Sequence, residues 1–269
     1  MFDILARAFR HSSSCVARNI QFIDNETIPA NLRFEAERTM LGQWLDNPEL
    51  VATVGQAAEL DRRIESYLQK NPAESRIRSF QLARAGLLIR VDKQKGITFL
   101  EQLSLNSEPK VASSAKAQLE KVQLVGKPLE LTFTTTKGDK LDLQTDYYGK
   151  VVLIDFWASW CPDCIRELPT VQEVYGKYKD EGFAVIGISL DKDAKALSNF
   201  VSKKSIPWPQ YFDGKGWDNE LSTKYGISEI PEMWLIDKEG HLVNTQITMG
   251  QLDDRVAELL NRSGKVSAE

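Results

Sequence analysis

Two runs of apolar, largely β-branched residues stand out in the second half of the chain, at 151–156 and 183–189. Their continuous apolar character predicts strands that are buried on both faces, as in a parallel sheet. The stretch between them, from about Pro162 to Tyr178, is long enough for a helix. Together they predict a strand–helix–strand unit with a parallel, right-handed crossover.

Shorter elements complete the second half. Leu129, Leu131 and Phe133 alternate with polar residues, which predicts a strand that returns over 141–143 as a hairpin. A second hairpin is predicted around the turn 237–240. The remaining predicted elements are helices over 191–204, 217–225 and 252–260, and strands over 210–212, 233–236 and 242–248.

Apolar positions recur at helical spacing before residue 125. The first predicted helix contains Leu41, Trp44 and Leu45. The next begins with a cap at 47–49 and ends at Asn71, and three more cover residues 73–90, 96–105 and 109–122. Short connections between such helices predict antiparallel hairpins. The pattern leaves open a helical bundle or a helical-hairpin repeat similar to tetratricopeptide arrays, and it contains no catalytic cluster.

These patterns predict a chain of two domains joined near 125–128. We expect a poorly ordered segment over 1–27, a helical domain over 28–124, a second domain over 125–262 and a tail over 263–269. A chain of 269 residues with 42% hydrophobic residues is large enough for two ordinary domains.

Charge and hydropathy exclude several classes of function. The formal net charge is −4, without the basic surplus of a nucleic-acid binder. No apolar run approaches the ~18 residues of a membrane-spanning helix. The segment 1–19 lacks the uninterrupted apolar core of a secretory signal, so either a signal has been removed or the protein stays inside the cell.

Cys161 and Cys164 follow the first buried strand. Pro162 is favoured in the first turn of a helix, which predicts Cys161 at a helix N-terminus and Cys164 one turn further in. A helix N-terminus stabilises a thiolate, and in such motifs the pKa of the first thiol can fall from about 8.5 to about 3.5. We expect Cys161 to attack a disulfide and Cys164 to resolve the intermediate.

Other readings of this cysteine pair find little support. A structural zinc site needs four ligands, and only Cys15, His11 and His241 remain in the chain. A haem attachment site requires a histidine after the second cysteine, where Ile165 stands. Cys15 itself is interpreted as an ordinary thiol in a loosely ordered tail, and a redox or linking role is the alternative.

The context of the pair resembles the thioredoxin superfamily. The residues from Asp155 to Cys161 resemble the lead-in to the thioredoxin active site, and Pro169 matches the proline that kinks its helix. Ile230-Pro231 matches the cis-proline that faces the disulfide. The early hairpin and the long insertion before Pro231 are similar to the TlpA/ResA branch. Pro162-Asp163 departs from the Gly-Pro of thioredoxin.

This resemblance covers residues 125–261 and implies an α/β, thioredoxin-like fold, preceded by an all-α domain. Its sheet would be central, mixed and flanked by helices, with an N-terminal β-hairpin extension. It also implies a thiol-disulfide oxidoreductase that exchanges disulfides with protein substrates, as a reductant served by an upstream electron donor. No metal or cofactor is expected besides a redox-active Cys161–Cys164 disulfide. The helical domain could bind another protein.

Two carboxylates are expected to support this chemistry. Asp155 shares a sheet face with Leu153 and Trp157, so it should be buried with a raised pKa. The resemblance implies that it takes the proton from Cys164, and a structural polar residue is the alternative. Glu167 matches a glutamate of TlpA/ResA relatives, or is an exposed surface charge.

Three further residues are expected to face the substrate. Trp160 offers a flat apolar surface that either docks a partner or packs internally. The backbone of Ile230 is expected to pair with an extended substrate segment. The resemblance implies a cis bond before Pro231, whose missing N–H keeps metals and extra donors away from the thiols.

Two other functions stay open, a peroxiredoxin-like thiol peroxidase and a redox-regulated module that binds proteins through the helical domain. The resemblance implies a periplasmic or cell-envelope location if a signal has been removed, with the cytoplasm as the alternative.

Overall fold

The computed structural model describes residues 20–46, 54–71, 77–245, 247 and 249–262. They form two compact units, divided after Ala115. The segment 1–19 with Cys15, the predicted cap at 47–49 and the tail 263–269 lie outside the described residues. The predicted domain limits stay predictions.

The first unit is helical, as the periodicity predicts. Its helices are α1 (Ala30–Asp46), α2 (Val54–Lys70), α3 (Ile77–Val91), α4 (Lys93–Ser104) and the start of α5 (Pro109–Leu124). Met40, Leu60, Ile64 and Phe80 are fully buried in its core. Helix α4 begins three residues before the predicted start at Gly96, because the Asp92 side chain accepts the Lys95 amide hydrogen.

A five-stranded mixed sheet forms the centre of the second unit. Its strand order is β5 (Gln210–Tyr211), β4 (Phe183–Ser189), β3 (Val151–Trp157), β6 (Glu232–Ile236) and β7 (Leu242–Asn244). The central strand β3 pairs in parallel with β4 and antiparallel with β6. All seven residues of β3 are buried, which confirms the prediction from its apolar run.

Helices and a separate hairpin complete this unit. The hairpin consists of β1 (Thr132–Thr134) and β2 (Lys140–Asp142), and the helices are α6 (Leu143–Asp146), α7 (Pro162–Tyr178), α8 (Ala194–Lys203), α9 (Glu220–Lys224) and α10 (Met249–Asn261). Pro169 lies inside α7. Together with the mixed sheet, this arrangement is the thioredoxin-like fold that the resemblance implies, preceded by a helical region.

Several predicted boundaries are wrong, and side-chain caps explain most of them. The return strand stops at Asp142 because that side chain caps α6 by accepting the amide hydrogens of Gln144 and Thr145. Helix α8 starts three residues late because Asp193 caps it in the same way. Strand β1 covers only three residues, although Leu129 and Leu131 are buried as predicted.

The predicted helix over 217–225 is interrupted. A 3-10 turn covers Gly216–Asp218, and α9 starts only at Glu220. Asn219 between them is extended and fully buried, and its side chain accepts the amide hydrogens of Leu221 and Ser222. The asparagine therefore ends one element and caps the next.

The C-terminal part of α5 belongs to the second unit. Lys121 Nζ lies 2.7 Å from Glu232 Oε2, and both side chains are largely buried. Glu232 also accepts a hydrogen bond from Trp234 Nε1. A largely buried ion pair thus connects α5 to the first residue of β6. Within the described part of the chain, no helix combines the length and apolarity needed to cross a membrane.

Candidate active site

The two cysteines meet where β3 leads into α7. Cys161 is the N-cap of α7, Pro162 occupies the first turn, and Cys164 follows inside the helix. The two side chains form a disulfide. Cys161 Sγ accepts a hydrogen bond from the Cys164 amide at 3.1 Å, so the sulfur caps the helix as an oxygen would.

The helix terminus favours negative charge on Cys161 in particular. The Cys164 amide donates to its sulfur, and the sulfur lies at the positive end of the helix dipole. The other residues of the motif differ in exposure. Pro162 and Asp163 are exposed, and the Asp163 carboxylate forms an ion pair with Arg166. Both cysteine side chains are buried, with 4% of Cys161 and 5% of Cys164 exposed.

Asp155 is buried in the middle of β3, as predicted. It lies between Gly187 of β4 and Met233 of β6, and its Oδ1 has no hydrogen-bond partner among the described residues. Burial, and secondly the negative charge of Glu167, raise the pKa of Asp155 from 3.8 to about 7. Glu167 is half-buried on α7, one turn beyond Cys164.

The loop before β6 approaches the disulfide. The Ile230–Pro231 peptide bond is cis, which confirms the prediction. The carbonyl oxygen of Ile230 lies 3.8 Å from Cys161 Sγ, and both loop residues are half-buried. The structure thus brings Ile230 and Pro231 together with Cys161.

The sequence analysis missed Asp191, which holds the segment that precedes Cys161. This buried carboxylate accepts hydrogen bonds from the Ser159 amide at 3.0 Å, the Ser159 hydroxyl at 2.6 Å and the Ser189 hydroxyl at 2.8 Å. Its position could have identified it, because Asp191 lies two residues past the end of β4. Adjacent parallel strands end at the same edge of a sheet, so the residues after β4 lie near those after β3.

Trp160, a predicted substrate-facing residue, is 51% exposed. The structure places it beside Trp217, which the sequence analysis did not select and which is 45% exposed. Their ring centroids are 6.2 Å apart, with planes inclined at 60°. Only the fold could bring together two residues so far apart in the chain.

One cluster of metal-binding residue types occurs among the described residues, at the turn between β6 and β7. The ligand atoms of Asp237, Glu239 and His241 lie within 4.8 Å of one another. Asp237 Oδ1 accepts the amide hydrogens of Glu239 and His241, so the turn itself accounts for the position of this carboxylate. The expectation of a metal-free enzyme stays a prediction.

Sequence and structure comparisons identify relatives. The Redoxin family profile matches residues 92–259. Thiol-disulfide oxidoreductase ResA of Bacillus thuringiensis is 32% identical over 143 residues, which cover 53% of this chain and 80% of that protein. ResA of Halalkalibacterium halodurans is 30% identical over 148 residues, covering 55% and 77%. The thioredoxin domain of a thiol-disulfide oxidoreductase from Bacteroides vulgatus has 28% identity and a TM-score of 0.46, covering 51% of this chain and 98% of that domain.

The residues that the Redoxin profile matches include the strand, the helix N-terminus and the cysteine pair described above. A disulfide at that helix terminus is the chemical group that thiol–disulfide exchange requires. The chain therefore belongs to the Redoxin family and is a TlpA/ResA-like thiol-disulfide oxidoreductase of the thioredoxin superfamily.

Proposed function

We propose that the enzyme exchanges disulfides with protein substrates through the dithiol of Cys161 and Cys164, and that it works as a reductant. The observation that carries the proposal is the hydrogen bond from the Cys164 amide to Cys161 Sγ at the N-terminus of α7. This contact stabilises a thiolate on Cys161, and the thiolate is the attacking species in exchange.

The proposed cycle starts from the dithiol. The Cys161 thiolate attacks one sulfur of the substrate disulfide, whose S–S bond breaks, and the leaving thiolate takes up a proton. Cys164 then loses its proton and attacks Cys161 Sγ, which releases the second substrate thiol. The substrate gains two electrons and two protons, the enzyme becomes the disulfide, and an upstream dithiol donor must reduce it again.

Asp155 is proposed to accept the proton of Cys164. It lies on β3, the strand that leads directly into the cysteine turn, and its unpaired Oδ1 is available as an acceptor. With its pKa raised to about 7, the carboxyl can both take up and release a proton near neutral pH. Glu167 contributes by raising that pKa.

The direction of electron flow is proposed from the resemblance to TlpA/ResA proteins. It is measured by equilibrating the protein with glutathione redox buffers and determining the oxidised fraction. A reduction potential near that of thioredoxin, about −270 mV, supports a reductant, whereas a value near about −120 mV contradicts it. A periplasmic or cell-envelope location is proposed on the same resemblance, and cell fractionation tests it.

Reduction of insulin by dithiothreitol tests the activity on protein disulfides. The wild-type enzyme should accelerate the reaction, and both Cys161→Ser and Cys164→Ser should lose the acceleration. Cys15→Ser is the matched control, because it removes a thiol outside the motif, and it should retain full activity. Acceleration that survives Cys161→Ser would contradict the proposal.

A further inference from the structure

The pair of tryptophans beside the disulfide is unusual in its exposure. Among the side chains whose exposure the structure describes, Trp160 and Trp217 are two of four large hydrophobic ones that are exposed. Each ring leaves about half of its surface in contact with water, although the two rings touch. Mutual packing therefore leaves about half of this apolar surface uncovered, as expected of a surface that a partner covers.

The two segments that carry these rings are held on one buried hydrogen-bond network. Ser159, next to Trp160, donates twice to Asp191, and Asp191 also accepts from the Ser189 hydroxyl. The Ser189 carbonyl in turn accepts a hydrogen bond from Asn219 Nδ2 at 3.1 Å. Asn219 directly follows the turn that contains Trp217.

This network positions the exposed rings in advance of any partner. Asp191, Ser189 and Asn219 are all buried at 2% exposure or less, so the frame is rigid while the rings lie at the surface. Side chains that are oriented in advance lose less conformational entropy when they bind. A rigid pair of inclined aromatic faces is suited to receive one bulky apolar side chain.

We infer that Trp160 and Trp217 form a docking site for an aromatic or bulky aliphatic side chain next to the reacting cysteine of a protein substrate. Trp160 immediately precedes Cys161, so a substrate segment joined to Cys161 Sγ passes beside the pair. Trp217 thereby acts as a specificity-determining residue. The inference rests on the proposed exchange with protein substrates.

Three disulfide probes test this inference on the reduced full-length enzyme. Two are symmetrical disulfide dimers of short peptides that differ only in having phenylalanine or serine on both sides of the cysteine. The third is 2-hydroxyethyl disulfide, which carries no side chain to dock. Acid quenching and chromatography of the released thiols give a second-order rate constant for each probe.

The wild-type enzyme should prefer the phenylalanine peptide about five- to tenfold, the range expected for one aromatic contact. Trp217→Ala should reduce this preference to below about twofold, because it slows the phenylalanine peptide more than the other two probes, and Trp217→Phe should retain part of the preference. Tyr148→Ala is the matched control. It removes an exposed aromatic ring next to the opposite end of β3, and it should leave the preference intact.

Two results would overturn the docking site: no preference in the wild-type enzyme, or a preference that Trp217→Ala retains. An equal slowing of all three probes by Trp217→Ala would also contradict it, because that pattern indicates a structural role. If the wild-type enzyme reduces 2-hydroxyethyl disulfide but neither peptide, the proposed activity on protein substrates fails first, and the two failures are thus distinguishable.

Discussion

The amide nitrogen of Cys164 lies 3.1 Å from Cys161 Sγ and donates a hydrogen bond to it. Because Cys161 is the N-cap and Cys164 lies inside α7, the first sulfur receives this bond and faces the positive end of the helix. The arrangement makes the two cysteines chemically unequal, although their exposures, 4% and 5%, are nearly the same.

We expect the two thiols of the reduced protein to differ in reactivity towards alkylating reagents. Cys161 should react with iodoacetamide at mildly acidic pH, whereas Cys164 should react only in alkaline solution, because the helix terminus stabilises only the first thiolate. Mass spectrometry of the alkylated peptides between pH 5 and 9 measures both profiles. Cys15→Ser removes the third thiol as a control, and superimposable profiles would contradict the expectation.

Asp155 should make the stability of the oxidised protein depend on pH. Its pKa is 3.8 in the unfolded chain and about 7 when folded. Between these values the folded protein keeps a proton that the unfolded chain has lost, so the contribution of Asp155 to stability falls as pH rises through this window. Above this pH window the carboxyl is charged in the folded protein as well, and the full cost of burying that charge lowers the stability.

Asp155→Asn removes this titration and should therefore gain stability relative to wild type as pH rises. We expect the difference in free energy of unfolding between variant and wild type to increase by roughly 2–4 kcal/mol from pH 4 to pH 8. Guanidinium unfolding of both proteins at the two pH values measures it. Asp163→Asn, at an exposed position in the same motif, is the control, and a pH-independent difference for Asp155→Asn would show that the carboxyl is already ionised at pH 4.

Asp155→Asn should also separate the two chemical steps. Formation of the mixed disulfide uses the Cys161 thiolate and should change little, whereas release requires deprotonation of Cys164 and should slow about tenfold or more. Rapid quenching with a peptide disulfide, followed by non-reducing separation, resolves both steps. Equal slowing of formation and release would assign Asp155 a structural role.

Asp191→Ala should lower both stability and activity. It leaves the Ser159 amide and two hydroxyl groups without their buried acceptor, at a cost of ~1–3 kcal/mol for each group left unsatisfied. The segment before Cys161 also loses its anchor, so insulin reduction should slow about tenfold at a temperature where the variant is folded.

Asp193→Ala is the matched control for this variant. It removes a nearby carboxylate that caps α8, which costs ~1 kcal/mol of stability, but it breaks no contact with the cysteine turn. We expect nearly normal insulin reduction. If both variants lose activity in proportion to their lost stability, Asp191 has no specific role in positioning Cys161.

The sequence predicts the fold and the cysteine site well where the signal is local. The apolar runs place β3 and β4, and Pro162 after Cys161 places the helix terminus, because each depends on a few consecutive residues. The interruption at Asn219 was missed because its buried side chain donates hydrogen bonds to Ser189 and Asp213 on two other segments. The periodicity of apolar residues cannot show such contacts. The pairing of Trp160 with Trp217 likewise depends on tertiary structure.

Trapping of the mixed disulfide tests the assignment of Cys161 as the attacking thiol most directly. When reduced Cys164→Ser protein is mixed with a protein disulfide such as insulin, a covalent adduct should accumulate. Dithiothreitol should cleave this adduct by reduction, and peptide mapping should find the substrate attached at Cys161. Cys161→Ser should form no such adduct under the same conditions. An adduct that forms at Cys164 in Cys161→Ser, or none in Cys164→Ser, would contradict the account.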